Sequence, residues 1–117
     1  MIVVDASVAL EVLLQTPLGT RAASQIANTP RHAPHVIALE CAHVLRRLVR
    51  DKDIDSGLAE AALQTMRLWD LERHAHVQLL PRIWELRDSL TAYDASYVAL
   101  AESLDAPLFT CDGKLSR

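Results

Sequence analysis

The sequence predicts an α/β domain, a short parallel sheet with helices covering both of its faces to give three layers. Three observations lead there. Brief apolar runs, Met1–Val4 and Pro107–Thr110, have the length of buried strands and no alternation. The stretches between strand candidates repeat their apolar residues at helical spacing, as crossovers between parallel strands require. Half of the residues are hydrophobic while aromatics make up only 4%, so the core must rest on Ala, Leu, Val and Ile in closely packed helices.

The elements follow in order. Met1–Val4 reads as a strand that ends at Asp5 and feeds a helix over Ala6–Gln15. Pro17 is expected to stop that helix, and Leu18–Asn28 to start another. Thr29-Pro30-Arg31 is a turn before a short strand, His32–Pro34. Val36–Arg50 is a strong helix in which Val36, Leu39, His43, Val44 and Leu48 recur on one face. Asp55 with Ser56 caps the next, Gly57–Leu71, whose apolar face carries Leu58, Ala62, Met66 and Trp69. Arg73–Leu79 alternates weakly, as a strand would. Pro81–Asp88 is a helix with proline at its first position, where a missing N–H costs nothing. Tyr93–Leu104 is apolar nearly all round and should be buried. Pro107–Thr110 is the last strand and Cys111–Arg117 a loop. With no internal repeat and no linker, residues 1–117 make one domain.

Composition narrows the chemistry. Only Gly19, Gly57 and Gly113 occur, so glycine-rich phosphate cradles are absent. The formal net charge is −3, from 15 acids against 12 Lys and Arg, which is not the basic excess of a typical nucleic-acid binder. Cys41 and Cys111 match no CxxC spacing. No apolar stretch approaches the ~20 residues of a membrane span, and MIVVDAS has no basic leader. The expectation is a soluble protein of the cytoplasm, without membrane contact.

Four acids stand out. Asp5 follows the first strand, Asp112 the last, Asp94 lies in the first turn of the buried helix, and Glu40 near the start of the long one. In an open parallel sheet these positions share the rim where strands end and helices begin, which is where ligands bind. Each has a plain alternative. Asp5 suits a helix cap, Asp94 with Thr91 a capping box, Asp112-Gly113 a turn, and Glu40 a solvated helix face. Yet Asp5 sits between Ile-Val-Val and Ala-Ser-Val-Ala-Leu, and Asp94 precedes Ala-Ser-Tyr-Val-Ala-Leu. Carboxylates gathered among apolar residues raise one another's pKa. A divalent cation is the simplest compensation, and oxygen-only ligands favour Mg²⁺ or Mn²⁺ over zinc.

These segments resemble the PIN-domain ribonucleases, in particular the VapC-type toxins of bacterial toxin–antitoxin pairs. The resemblance is carried by Ile2-Val3-Val4-Asp5-Ala6-Ser7, by Glu40 with Leu45-Arg46-Arg47, by Leu90 through Glu102 (LTAYDASYVALAE), and by Leu108 through Leu115 (LFTCDGKL). It implies that Asp5, Glu40, Asp94 and Asp112 form a catalytic pocket holding Mg²⁺ or Mn²⁺, with Ser7 and Thr110 orienting the carboxylates. It further implies an endoribonuclease that uses in-line water attack to leave a 5′-phosphate and a 3′-hydroxyl, forms a homodimer and is blocked by a cognate antitoxin. His43, Arg46, Arg47, Arg87 and Lys114 are candidates to contact the RNA. The lack of a basic surplus favours structured RNA, of the tRNA or rRNA class.

Two departures from the family pattern are visible. Many relatives carry Asn three residues after the helical Glu, where this chain has His43, and a lone histidine on an apolar helix face usually packs inward. Relatives usually continue through another strand and short helix after the Asp112 loop, whereas this sequence stops at Arg117. The alternative function is a degenerate PIN-like module that binds RNA or protein without cleavage. A phosphatase is disfavoured, since its DxD motif would need an acid where Ser7 stands.

Overall fold

Ile2–Val4 (β1) is the inner strand around which a computed structural model, describing residues 1–111, is organised. Val3 and Val4 have no solvent exposure, as expected of a parallel strand covered on both faces. Arg31–Pro34 (β2) pairs on one side of it and Leu108–Phe109 (β4) on the other, while Glu72–His74 (β3) lies beyond β2. All pairings are parallel and the order is β3-β2-β1-β4. The register sets Val3 beside both His32 and Leu108, and His32 beside Glu72. Helices flank this sheet in the three-layer α/β/α arrangement.

Ala6–Leu13 (α1) springs directly from β1, its N-terminus capped by Asp5, whose Oδ1 accepts from the Val8 amide at 3.1 Å. It ends earlier than Gln15, which adopts a positive φ of 56°. Pro17 does not merely stop the helix. It opens the next one, Pro17–Ile26 (α2), behind the cap Thr16, whose hydroxyl accepts from the Gly19 amide at 2.9 Å. Proline is tolerated there because the first helical amides lack intrahelical partners anyway. Gly19 lets the two helices touch, for a Cβ on it would lie 1.9 Å from the Glu11 carbonyl oxygen.

The long helix is Ile37–Arg50 (α3), and its inward stripe is Ile37, Cys41 and Leu45. This differs from the face read in the sequence. Val36, Leu39, His43, Val44 and Leu48 lie on the adjoining side, with Leu39 73% exposed. Ser56–Leu68 (α4) is capped by Asp55, which accepts from the Leu58 amide at 2.8 Å. It buries Ala59, Ala62 and Met66, whereas Leu58 is left exposed. The helix stops short of Leu71 because Trp69 turns the backbone extended, toward β3.

The strand expected over Arg73–Leu79 is only Glu72–His74, followed by a 3₁₀ turn at Val77–Leu79. Leu80–Glu85 (α5) is shorter than predicted and rests Ile83 against Ala95 and Ala99. Those two belong to Ala92–Leu104 (α6), capped by the Thr91 hydroxyl, which accepts from the Asp94 amide at 3.1 Å. Its buried side is mostly small (Ala95, Ser96, Ala99, Ala101), with Tyr97 and Leu100 as the large members. The helix ends at Asp105, in the left-handed region at φ 49°. Arg82 on α5 and Glu102 on α6 form a bidentate surface pair at 2.8 and 3.1 Å. Among the described residues no helix is long and apolar enough to cross a membrane.

Candidate active site

The rim where β1 ends carries a buried carboxylate. Asp5 is 3% exposed, and such burial requires hydrogen-bond partners. It has them on both oxygens. Oδ1 accepts from the Ser7 hydroxyl at 2.6 Å and from the Val8 amide, and Oδ2 accepts from the Thr110 hydroxyl. The Ser7 oxygen in turn accepts from the Cys111 amide at 2.9 Å. Ser7 and Thr110 thus each donate a hydroxyl hydrogen bond to Asp5.

Glu40 arrives from the first turn of α3 and is half-buried. Its Oε1 accepts from the Tyr97 hydroxyl at 2.5 Å. Burial pushes the Glu40 carboxyl above the usual range; the Tyr97 bond opposes this, and the charges of Asp94 and Asp5 add to the rise. Asp94 enters from the first turn of α6, placed there by the Thr91 cap. Burial first, and then Glu40, hold the Tyr97 phenol far above its normal titration range, so it stays a neutral donor. Tyr97 is the participant that sequence reasoning missed. It stands three residues after Asp94, one turn along the same helix face, and a buried tyrosine needs a hydroxyl partner.

Asp5, Glu40 and Asp94 line one open cavity of about 740 Å³, together with Ser7, Glu11, Tyr93 and Tyr97. Its other wall is apolar and comprises Leu10, Leu14, Val36, Leu39, Val44 and Leu48. The α3 stripe legible in the sequence is thus a groove wall beside the acids instead of a core face. His43 is exposed and lines this cavity, so it does not pack inward, and Arg47 lines it one turn further along α3. Arg46 is exposed on α3 but is not part of the lining. Arg87 lies elsewhere, its guanidinium 4.6 Å from the Trp84 ring centroid and donating to the Trp84 carbonyl at 2.9 Å. Asp112 and Lys114 fall outside the described residues.

The donor set suits a hard dication. Carboxylates facing one cavity from β1, α3 and α6 supply only oxygen, and Glu40 registers the repulsion of the other two. Mg²⁺ and Mn²⁺ fit such a set in both charge and ligand type.

Comparison with known proteins shows the family and the fold. Residues 2–117 match the family model described as PIN domain. The chain is 47% identical over 116 residues to ribonuclease VapC9 of Mycobacterium tuberculosis, covering 99% of this chain and 89% of that protein. It is 36% identical over 122 residues to ribonuclease VapC12 of the same organism, covering 100% and 91%. Its fold is similar to the crystal structure of Mycobacterium tuberculosis VapC20, a sarcin-ricin loop cleaving toxin. That match has a TM-score of 0.70 at 19% identity, over 97% of this chain and 91% of the other.

Proposed function

Because the chain belongs to the PIN-domain family, with VapC ribonucleases among its relatives, we propose that it is a metal-dependent endoribonuclease toxin. The observation that carries this reading is the meeting of Asp5, Glu40 and Asp94 in one cavity, two of them fixed by hydroxyl donors. Asp5, Glu40 and Asp94, with Asp112 as a further ligand, would hold Mg²⁺ or Mn²⁺, which when bound would supply charge relief at a phosphodiester and activation of water.

The chain's own groups do the positioning. Ser7 and Thr110 hold Asp5, and Tyr97 holds Glu40, so the carboxylates keep their places when substrate enters. Asp94 orients the attacking water in line with the leaving 3′-oxygen, leaving a 5′-phosphate and a 3′-hydroxyl. His43 and Arg47 contact the RNA backbone beside the cleaved bond, with Arg46, Arg87 and Lys114 as further phosphate contacts. The substrate is a structured RNA of the tRNA or rRNA class, since the net charge of −3 is too low for tracking long strands. VapC20, a fold relative, cleaves the sarcin-ricin loop. The toxin works in the cytoplasm as a homodimer. Its cognate antitoxin covers the apolar wall of Leu10, Leu14, Leu39 and Val44 and blocks the acids.

Incubation with total RNA and Mn²⁺, followed by end mapping, tests the proposal. The expected result is discrete cuts bearing 5′-phosphates that disappear in Glu40→Gln. Ends carrying 2′,3′-cyclic phosphate refute the mechanism, and RNA binding without any cut identifies a non-catalytic module instead.

A further inference from the structure

The β2–β3 edge of the sheet holds a group of ligating side chains that the nuclease reading does not use. His32 of β2 stands in register with Glu72 of edge strand β3, and His74 follows Glu72 by one full pleat, so all three share a face. His32 Nδ1 lies 2.8 Å from His74 Nε2 and 3.4 Å from Glu72 Oε2. One donor atom from each residue falls within 4.8 Å of the other two.

These contacts set a proton problem. Between two imidazole nitrogens at 2.8 Å, one must carry hydrogen and the other offer its lone pair. The same His32 nitrogen also faces a carboxylate oxygen, so a proton on His32 is shared between two acceptors, and a proton on His74 leaves two lone pairs facing each other. A cation in that proton's place would meet all three lone pairs. Ligands at zinc bond lengths of about 2.0–2.2 Å in a tetrahedral set stand roughly 3.3–3.6 Å apart. The His32–Glu72 separation of 3.4 Å already matches. The two rings need to part by about half an ångström, and Glu72, whose side chain is 68% exposed, is free to swing in.

We propose that His32, Glu72 and His74 form a second cation site, specific for a transition-metal dication of the Zn²⁺ type. Two imidazoles and one carboxylate make a nitrogen-rich set that Mg²⁺ disfavours and Zn²⁺, Co²⁺ or Ni²⁺ favour. Access is open. His32 and Glu72 border a cleft of about 330 Å³ that also includes Asn28, Arg31 and Asp70 and shares no residue with the carboxylate cavity. That cleft lies where β2 and β3 begin, while Asp5 lies where β1 ends. Water fills the remaining coordination position. The ion clamps β3, a three-residue edge strand, to β2, and a clamp that exists only in the folded state stabilises it by mass action.

The test uses the untagged full chain in excess Mg²⁺, titrated with ZnCl₂ by calorimetry and with CoCl₂ by visible absorption. The expected result is one Zn²⁺ per chain, a rise in melting temperature, and a Co²⁺ band typical of nitrogen ligation. His74→Gln and Glu72→Gln, at partly and largely exposed positions, should keep the wild-type circular dichroism and weaken binding at least about tenfold, in the range of lost ligand shells. Asp5→Asn should bind Zn²⁺ as the wild type does. Absence of Zn²⁺ binding overturns the proposal, as does binding that survives His74→Gln or vanishes in Asp5→Asn.

Discussion

The Tyr97 hydroxyl donates to Glu40 Oε1 across 2.5 Å and so ties α6 to α3 inside the carboxylate cavity. Tyr97 is almost completely removed from bulk water and Glu40 is half-buried. Tyr97→Phe keeps the ring and deletes only the donor. It should destabilise the protein by about 1.5 kcal/mol and raise the Glu40 carboxyl further, because the bond to Tyr97 is what opposes the rise. Urea denaturation measures the first effect. Weaker Mn²⁺ binding with intact helix content measures the second.

Glu40 also predicts a pH dependence. Its folded carboxyl is raised above the ordinary value, so the folded state holds that proton more tightly than the unfolded chain does. The associated stability is complete below the ordinary carboxylate value and is lost as pH climbs through the raised one. Metal-free protein should therefore lose stability as pH rises through that window. Glu40→Gln should show a flatter profile there, and identical curves for the two proteins would contradict the assignment.

Asp5 has two duties that different substitutions separate. Asp5→Asn retains an oxygen for the Val8 amide and should fold normally, yet lose the Mn²⁺-induced rise in melting temperature. Asp5→Ala removes the cap as well, at about 1 kcal/mol, and deletes the carboxylate to which the Ser7 and Thr110 hydroxyls donate. Thermal melts with and without Mn²⁺ distinguish the pair.

Gly19→Ala tests the contact between α1 and α2. Alanine ordinarily gains up to about 1 kcal/mol over glycine inside a helix. Here its Cβ would meet the Glu11 carbonyl at 1.9 Å, and backbone cannot swing aside as a side-chain tip does. The overpacking cost of about 1–3 kcal/mol should win, lowering the denaturation midpoint.

The two cysteines should differ in reactivity. Cys41 has no exposed surface, and burial together with Glu40 pushes its thiol up to about 12. Cys111 is exposed, its thiol raised less, chiefly by partial burial. A disulfide reagent should label one thiol promptly and the second only at the rate of unfolding. Prompt double labelling would show that α3 does not pack as described.

How much of this was legible depends on what each signal encodes. Asp5 and Asp94 could be placed on one rim because each stands at a strand or helix boundary, and parallel topology gathers such boundaries. The start of α6 was readable for the same reason, through the Thr91 cap. The inward face of α3 was not. That helix carries two adjoining apolar stripes, Ile37-Cys41-Leu45 and Val36-Leu39-Val44-Leu48, and periodicity alone does not say which one the sheet covers. Pro17 misled because the residue that forbids a helix interior is also well suited to a first turn. The His32–Glu72–His74 group depends on the register between β2 and β3, which no local pattern contains.

The hydroxyl of Thr110 that holds Asp5 comes from 105 positions later in sequence. Strand β4, which carries it there, is also made late. During synthesis Asp5 is made 105 residues before the partner that holds it. Nascent chains therefore carry no finished carboxylate pocket, however early β1 and β2 find each other. Completion of the pocket waits on the last strand of the sheet, a timing written into strand order.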